Sequence, residues 1–275
     1  MDAVVLAAGV GRRMGPCSDR LPKCLVSVGG EPLLVHSLRK LIATGFSPIV
    51  VVTGHLAAMI ERAVAPLRAI GNIILVDNPR YDQTGTASSL CCAEVSLASE
   101  GTQFLLIEGD LLYDAAFLQE ANRHRAGTIF TADLSGSGDE VYVLTTPSGR
   151  LKEVSKVISE DGKRQVRAGT TMMGGELAGI SVLPKSFISY LGMRRWLIPN
   201  FDRRDYESFL CEFGEQVSLT ACWLRNLPWA EVDTLADLER VRTTIWPRID
   251  AGQSADRSMT RAAEPVCRIR LPWSC

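Results

Sequence analysis

Three groups of residues in this chain have the types and spacing to do chemistry. The first is Ala7-Ala8-Gly9-Val10-Gly11-Arg12-Arg13-Met14-Gly15, which follows an apolar run directly and leads on to Leu21-Pro22-Lys23. Glycines at 9 and 11 let backbone N–H groups approach phosphate oxygens with no side chain in the way. Arg12, Arg13 and Lys23 bring cations to the same long loop, a combination that suits a triphosphate. The second group is a pair of carboxylates at the ends of apolar runs, Asp110 after Ile107-Glu108-Gly109 and Asp233 after Trp229-Ala230-Glu231-Val232. Such carboxylates can hold Mg²⁺, which orients a triphosphate and offsets charge on a leaving pyrophosphate. The third group lies between Asn78 and Leu90, where Thr84, Thr86 and Ser89 are among the small polar side chains that can read a base edge.

Each group also has a plainer reading. Glycines after a strand can form a simple turn, isolated basic residues are commonly solvated, and an aspartate after a strand often caps a helix. Asp233 and Thr234 compete to cap the helix that starts near Leu235, and Thr84, Thr86 and Ser88 are all good N-caps. Two familiar phosphate loops fit poorly. Met14 stands where a dinucleotide fingerprint needs its third glycine, and Pro16 and Pro22 delay any helix. The loop also lacks the Gly-Lys-Ser/Thr ending of a P-loop.

The elements that must position these groups follow from the periodicity. Strand-like runs at 3–6, 48–52, 72–76 and 104–107 alternate with helical patterns after Pro32, over 56–65 and over 87–98. That alternation predicts a parallel sheet covered on both faces. The second half reads as an antiparallel pair, 141–145 and 151–157, a turn at Asp161-Gly162, and a strand over 177–183. Helices over 185–191 and 205–213, a strand over 217–224 and a helix from Leu235 complete it. The expected fold is α/β, a Rossmann-like three-layer αβα arrangement with a mixed central sheet and a small antiparallel lobe. It occupies 1–249 as one domain, and 250–275 reads as a disordered tail.

Bulk properties limit the function. With 46% hydrophobic and 22% charged residues over 275, the composition is that of a globular chain. A net charge of -1 gives no field to attract nucleic acid or an anionic membrane, so neither is expected as a partner, and any anionic ligand must be held by local cations. No apolar run approaches the roughly 18 residues that would span a bilayer, and no basic leader precedes the first strand, so a cytoplasmic location is expected. The eight cysteines show no C-x-x-C pair or metal-ligand rhythm and read as reduced apolar and loop residues.

Leu6-Ala7-Ala8-Gly9-x-Gly11-x-Arg13-Met14 followed by Pro22-Lys23 resembles the signature of the sugar-1-phosphate nucleotidyltransferase superfamily, which includes the MobA-like NTP transferases and has a glycosyltransferase-A-like fold. The resemblance covers roughly residues 1–245. It implies that Leu6, Ala7, Ala8, Gly9 and Gly11 wrap the NTP phosphates, with Gly109 beside them. It gives catalytic roles to Arg13 and Lys23, Lys23 at the α-phosphate, and the Mg²⁺ to Asp110 and Asp233. Thr84, Thr86 and Ser89 then read the base.

The 78–90 stretch is similar to the branch that makes CDP-choline and CDP-aminoethylphosphonate-like products, in which an asparagine often stands at the place of Gly85. The expected reaction is transfer of CMP from CTP to a small phosphate or phosphonate acceptor of the phosphocholine or 2-aminoethylphosphonate type. An acceptor ammonium would be met by Glu140, Glu176 and Glu231, with Tyr113, Tyr142 or Trp229 offering aromatic faces. The acceptor oxygen is already an anion, so none of the three histidines, His36, His55 and His124, is required as a base. Alternatives are a sugar-1-phosphate or inositol-1-phosphate acceptor, a non-catalytic nucleotide-binding regulatory protein, and a dinucleotide-dependent oxidoreductase.

Overall fold

The computed structural model describes residues 1–97 and 101–259. Its first half runs β1 (Asp2–Leu6), the short hairpin β2 (Ser27–Val28) and β3 (Glu31–Pro32), α1 (Leu33–Ala43), β4 (Ile49–Thr53), α2 (Ala57–Val64), β5 (Ile73–Asp77) and α3 (Thr86–Cys92). Then come β6 (Gln103–Glu108), β7 (Leu111–Tyr113), α4 (Ala116–Arg123), β8 (Thr128–Ala132), β9 (Tyr142–Thr145), β10 (Leu151–Ser155), α5 (Glu160–Arg167) and the long β11 (Met172–Pro184). The chain continues through α6 (Ser186–Leu197), α7 (Leu210–Gln216), β12 (Thr220–Trp223), β13 (Trp229–Glu231), α8 (Leu235–Arg240) and α9 (Trp246–Met259).

The main sheet has the order β10-β9-β11-β6-β1-β4-β5, with β8 branching from β11 and β12 pairing with β8. β6, β1, β4 and β5 are parallel, whereas β11 runs antiparallel to β6, β8 and β9. The sheet is therefore mixed, and the antiparallel strands extend it. A separate ribbon pairs β7 with β13. Every residue of β1 is buried because both faces are covered, which is why its sequence is continuously apolar after Asp2. Period-2 alternation sends Val5 and Val51 to one apolar cluster with Leu38 and Phe130, and Val4 and Val50 to another with Phe187 and Leu191. A third cluster gathers Met14, Val26, Leu112, Val232, Ile245 and Ile249 beneath the β7–β13 ribbon.

Several local expectations are corrected. Asp161-Gly162 is not a turn but the first turn of α5, because Ser159 Oγ accepts from the Gly162 N–H and caps the helix. α3 ends at Cys92 rather than reaching 98, and the helix expected over 205–213 begins only at Leu210, after a 3₁₀ turn over 206–209. Helical backbone also continues past 249 as α9, since Trp246 packs against His36 with ring centroids 5.0 Å apart and Ile249 is fully buried. Residues 260–275, the rest of the expected tail, lie outside the described residues. No helix among the described residues is long and apolar enough to cross a membrane.

Candidate active site

A cleft of about 450 Å³ opens beyond the C-terminal ends of β1 and β6, the usual place for a ligand on parallel strands. The glycine loop forms one side of it. Gly11 has φ +68°, and a Cβ there would come within 3.0 Å of Lys23 Cβ, so this position both turns the chain and lets Lys23 approach. Met14, only 2% exposed, anchors the loop in the third apolar cluster. His55 braces it from behind, its ring nitrogen 2.7 Å from the Ser18 carbonyl oxygen, which makes that nitrogen the donor, and its N–H donates to the Ala8 carbonyl at 3.1 Å.

The cleft is crossed by a chain of alternating charges. Lys156 Nζ pairs with Asp139 Oδ1 at 2.6 Å, and Asp139 Oδ2 pairs with Arg13. Arg13 Nη2 meets Asp233 Oδ2 at 2.8 Å, Asp233 Oδ1 meets Lys23 Nζ at 2.5 Å, and Lys23 also pairs with Asp110. Burial disfavours the Lys23 ammonium, yet Asp110, Asp233 and Glu231 outweigh that effect and hold its pKa above the ordinary lysine value. Burial likewise works against the Asp233 carboxylate, but Lys23 and Arg13 keep it below the usual range. Asp233 is free to face the cleft because Thr234 takes the capping role. Thr234 Oγ1 accepts from Asp237 N at 3.1 Å, and the Asp237 carboxylate accepts from Thr234 N at 2.9 Å.

Beside this chain the floor is acidic. One carboxylate oxygen from each of Glu108, Asp110 and Glu231 lies within 4.8 Å of the others. Glu108 is part-buried, accepts a 2.8 Å hydrogen bond from the Tyr206 hydroxyl, and has its pKa raised by burial and by Asp110 and Glu207. Glu231 is pushed up by burial and by Asp110, Glu108 and Asp233. Glu207 is pushed up to about 7 by burial and by Asp205. Asp110 Oδ1 is buried with no hydrogen-bond partner. Hard oxygen donors around an unpartnered carboxylate oxygen fit a divalent cation such as Mg²⁺.

The opposite wall presents mainly hydroxyls, with Asp82 and Asp205 at its edge. Asn78 Nδ2 donates to Thr84 Oγ1 at 2.9 Å and to Ser89 Oγ at 3.0 Å, fixing both hydroxyls at the cleft edge. No side chain of α3 itself caps its start. Asp205 Oδ1 instead accepts from the Thr86 N–H at 3.1 Å and from its hydroxyl at 3.0 Å. Gly85 fits this join because a Cβ would lie 2.4 Å from the Arg204 carbonyl oxygen.

Of the residues singled out in the sequence, Leu6, Ala7, Ala8, Gly9, Gly11, Arg13, Lys23, Thr84, Thr86, Ser89, Asp110, Glu231 and Asp233 all line the cleft. Gly109 lies just behind it, donating its N–H to the Leu6 carbonyl at 2.8 Å. Glu140 and Glu176 stand apart. The Glu176 carboxylate accepts from Ser135 N at 2.6 Å and borders a smaller cavity of about 130 Å³. Backbone N–H groups of its own loop hold the Glu140 carboxylate below its ordinary pKa. Sequence reasoning missed Glu108, Asp139, Lys156, Asp205 and Glu207, which also line the cleft. Glu108 carried one usable signal, a carboxylate on an otherwise apolar strand two residues before Asp110. The others sit in segments without a motif.

Residues 3–175 match the family model described as a MobA-like NTP transferase domain. The chain is 35% identical over 148 residues to the CMP-5'-(3-aminopropyl)phosphonate synthase of Streptomyces rubellomurinus, covering 49% of this chain and 23% of that protein. It is 29% identical to the mannose-1-phosphate guanyltransferase of Emericella nidulans, covering 62% of this chain and 48% of that one. The chain thus spans about a quarter to a half of the length of these two relatives. Among solved structures, the fold is similar to the inositol-1-phosphate CTP transferase of T. maritima, with TM-score 0.73, 19% identity, and 91% and 96% of the two chains covered. It is also similar to the CTP:phosphocholine cytidylyltransferase of Streptococcus pneumoniae, with TM-score 0.70, 18% identity, and 88% and 97% covered.

Proposed function

The chain belongs to the MobA-like NTP transferase family, and from that premise we propose that it moves CMP from CTP to a small phosphate or phosphonate acceptor of the phosphocholine or 2-aminoethylphosphonate type. The observation that carries this reading is the coexistence in one cleft of a cation set and a surplus of part-buried carboxylates. Arg13, Lys23 and Lys156 suit phosphate oxygens, while burial and neighbouring carboxylates hold Glu108, Glu207 and Glu231 above their ordinary pKa. An acceptor with an anionic end and an ammonium end meets both demands. The named activities of the Streptomyces relative and of the Streptococcus structural neighbour are of that kind.

In the proposed reaction an acceptor oxygen attacks the α-phosphorus in line. A new P–O bond forms, the bond from the α-phosphorus to the bridging oxygen breaks, and pyrophosphate leaves with that electron pair. The attacking oxygen is already deprotonated, so no residue has to accept a proton. Lys23 and Arg13 offset charge on the triphosphate, and the backbone of Ala7 to Gly11 lets it approach closely. Thr84 and Ser89, oriented by Asn78, face the base. Asp110, with Glu108 and Glu231 beside it, would hold Mg²⁺, which supplies charge neutralisation at the triphosphate when bound; Asp233, the second ligand expected from the sequence, has its two carboxylate oxygens on Lys23 and Arg13.

The test is pyrophosphate release with Mg²⁺ across CTP, UTP, GTP, ATP and dTTP. Each is paired with phosphocholine, 2-aminoethylphosphonate, mannose-1-phosphate, glucose-1-phosphate and inositol-1-phosphate. Turnover confined to CTP with an ammonium-bearing acceptor is expected. Turnover with a hexose or inositol phosphate would replace the acceptor assignment and keep the family chemistry.

A further inference from the structure

Asp139, like Lys156, belongs neither to the glycine loop nor to the acidic floor. It comes from the loop between β8 and β9, and that loop is built to present it. Glu176 accepts from Ser135 N at 2.6 Å and from Ser135 Oγ at 3.1 Å, tying down the loop's start. The Glu140 carboxylate is held by backbone N–H groups at Gly136, Ser137 and Gly138, which closes the loop on itself. Gly136 and Gly138 supply the left-handed φ values, +70° and +84°, that this tight path needs. The two glutamates that looked like acceptor ligands in the sequence therefore shape the arm that carries Asp139.

What Asp139 touches matters more. Its two carboxylate oxygens face one cation each, Oδ1 to Lys156 at 2.6 Å and Oδ2 to Arg13, and both cations line the cleft. Two oxygens on one centre, each facing a separate cation, is the pattern a phosphate or phosphonate group presents. A carboxylate held there would repel such a group and would occupy donors that the group needs. The side chains involved are 36–54% exposed, so the contact is weak enough for a ligand to displace it.

We infer that Asp139 is an internal competitor for the ligand's phosphate or phosphonate oxygens, a positioning residue that parks Arg13 and Lys156 in the free protein and withdraws when those oxygens arrive. The inference rests on the reading above that the cleft takes a polyphosphate. Its consequence is that affinity for the anion is lower than the cation set alone would give, and that loop release accompanies binding.

The experiment is calorimetric titration of the full chain with inorganic pyrophosphate in Mg²⁺, for the wild type, Asp139→Asn, Asp139→Glu and the charge control Glu160→Gln. Asp139→Asn is expected to bind about three- to tenfold tighter, with Asp139→Glu and Glu160→Gln near wild type. Hydrogen exchange gives a second reading that does not depend on activity. Amides of residues 134–139 should exchange faster in ligand-free Asp139→Asn, and faster in the wild type once pyrophosphate is added. Equal or weaker binding by Asp139→Asn overturns the inference alone, as does loop exchange that is unchanged or slowed by pyrophosphate. Failure of every protein to bind pyrophosphate overturns it together with the reading of the cleft.

Discussion

The two walls of the cleft differ in how the chain makes them. On one side, the glycine loop after β1 and the 78–90 segment after β5 are each continuous in sequence. They present backbone N–H groups and neutral hydroxyls that Asn78 ties together. On the other, Glu108, Asp139, Lys156, Glu207 and Glu231 come from five separate segments, and with Asp110, Asp205 and Asp233 they bring most of the cleft's carboxylates. The hydroxyl-bearing wall is fixed by local turns and hydrogen bonds. The charged wall exists only because β11 and β13 return antiparallel beside β6 and β7, so its geometry is a product of long-range packing. Shape, close approach and the cations Arg12, Arg13 and Lys23 thus come from contiguous motifs, and most of the carboxylates from assembled ones.

The sharpest way to break that division is at Lys23, the residue where the walls meet. It belongs to the glycine-loop segment yet pairs with Asp110 and Asp233. Lys23→Ala is expected to lower kcat about a hundredfold, the usual size for removing a preorganised charge stabiliser, with little change in circular dichroism. A kcat within about threefold of wild type would show that the charged wall alone organises the reaction.

A smaller effect tests the charged wall by pH. Burial and Asp205 raise Glu207 from an ordinary 4.5 to about 7, so between those values the folded protein binds more protons than the unfolded chain. Stability therefore falls as pH rises through that window. Glu207→Gln removes the ionisation and should recover about 1–2 kcal/mol of the stability difference between pH 5 and pH 8 in denaturant titrations. An unchanged difference would mean that Glu207 gains a compensating positive neighbour in solution.

The same division explains how much the sequence disclosed. The parallel strands were legible because each is a short apolar run buried on both faces, and the glycine loop because its spacing is contiguous. Lys23, Asp110 and Asp233 were picked out as cleft residues because the runs they follow together resemble the family's motifs. Asp139, Lys156, Asp205 and Glu207 were not, since nothing local marks a residue whose partner lies far along the chain; Asp205 caps a helix that begins at Thr86. Glu140 and Glu176 misled for the same reason. Their residue type suited an ammonium, but whether a carboxylate faces a cleft or its own loop depends on packing that periodicity does not encode. Asp161-Gly162 looked like a turn until Ser159 supplied the cap that makes it helical.

The gentlest perturbation concerns how Asp233 keeps its place. Asp233 and Thr234 both stood as possible caps for α8, and the helix uses Thr234 in a reciprocal box with Asp237. Thr234→Ala removes the hydroxyl that accepts from Asp237 N and should cost about 1 kcal/mol of stability. Because Asp233 is the adjacent residue, the same variant has a second readout. If the cap only terminates the helix, kcat stays at wild-type level while the melting temperature drops by a few degrees, about 2–4 °C for a chain of this size. If losing Thr234 draws the Asp233 carboxylate into the capping role, its pairs with Lys23 and Arg13 are broken and kcat falls with stability. Measuring both decides whether the charged wall borrows its geometry from a local cap, which would make the two walls less separate than their sequence origins suggest.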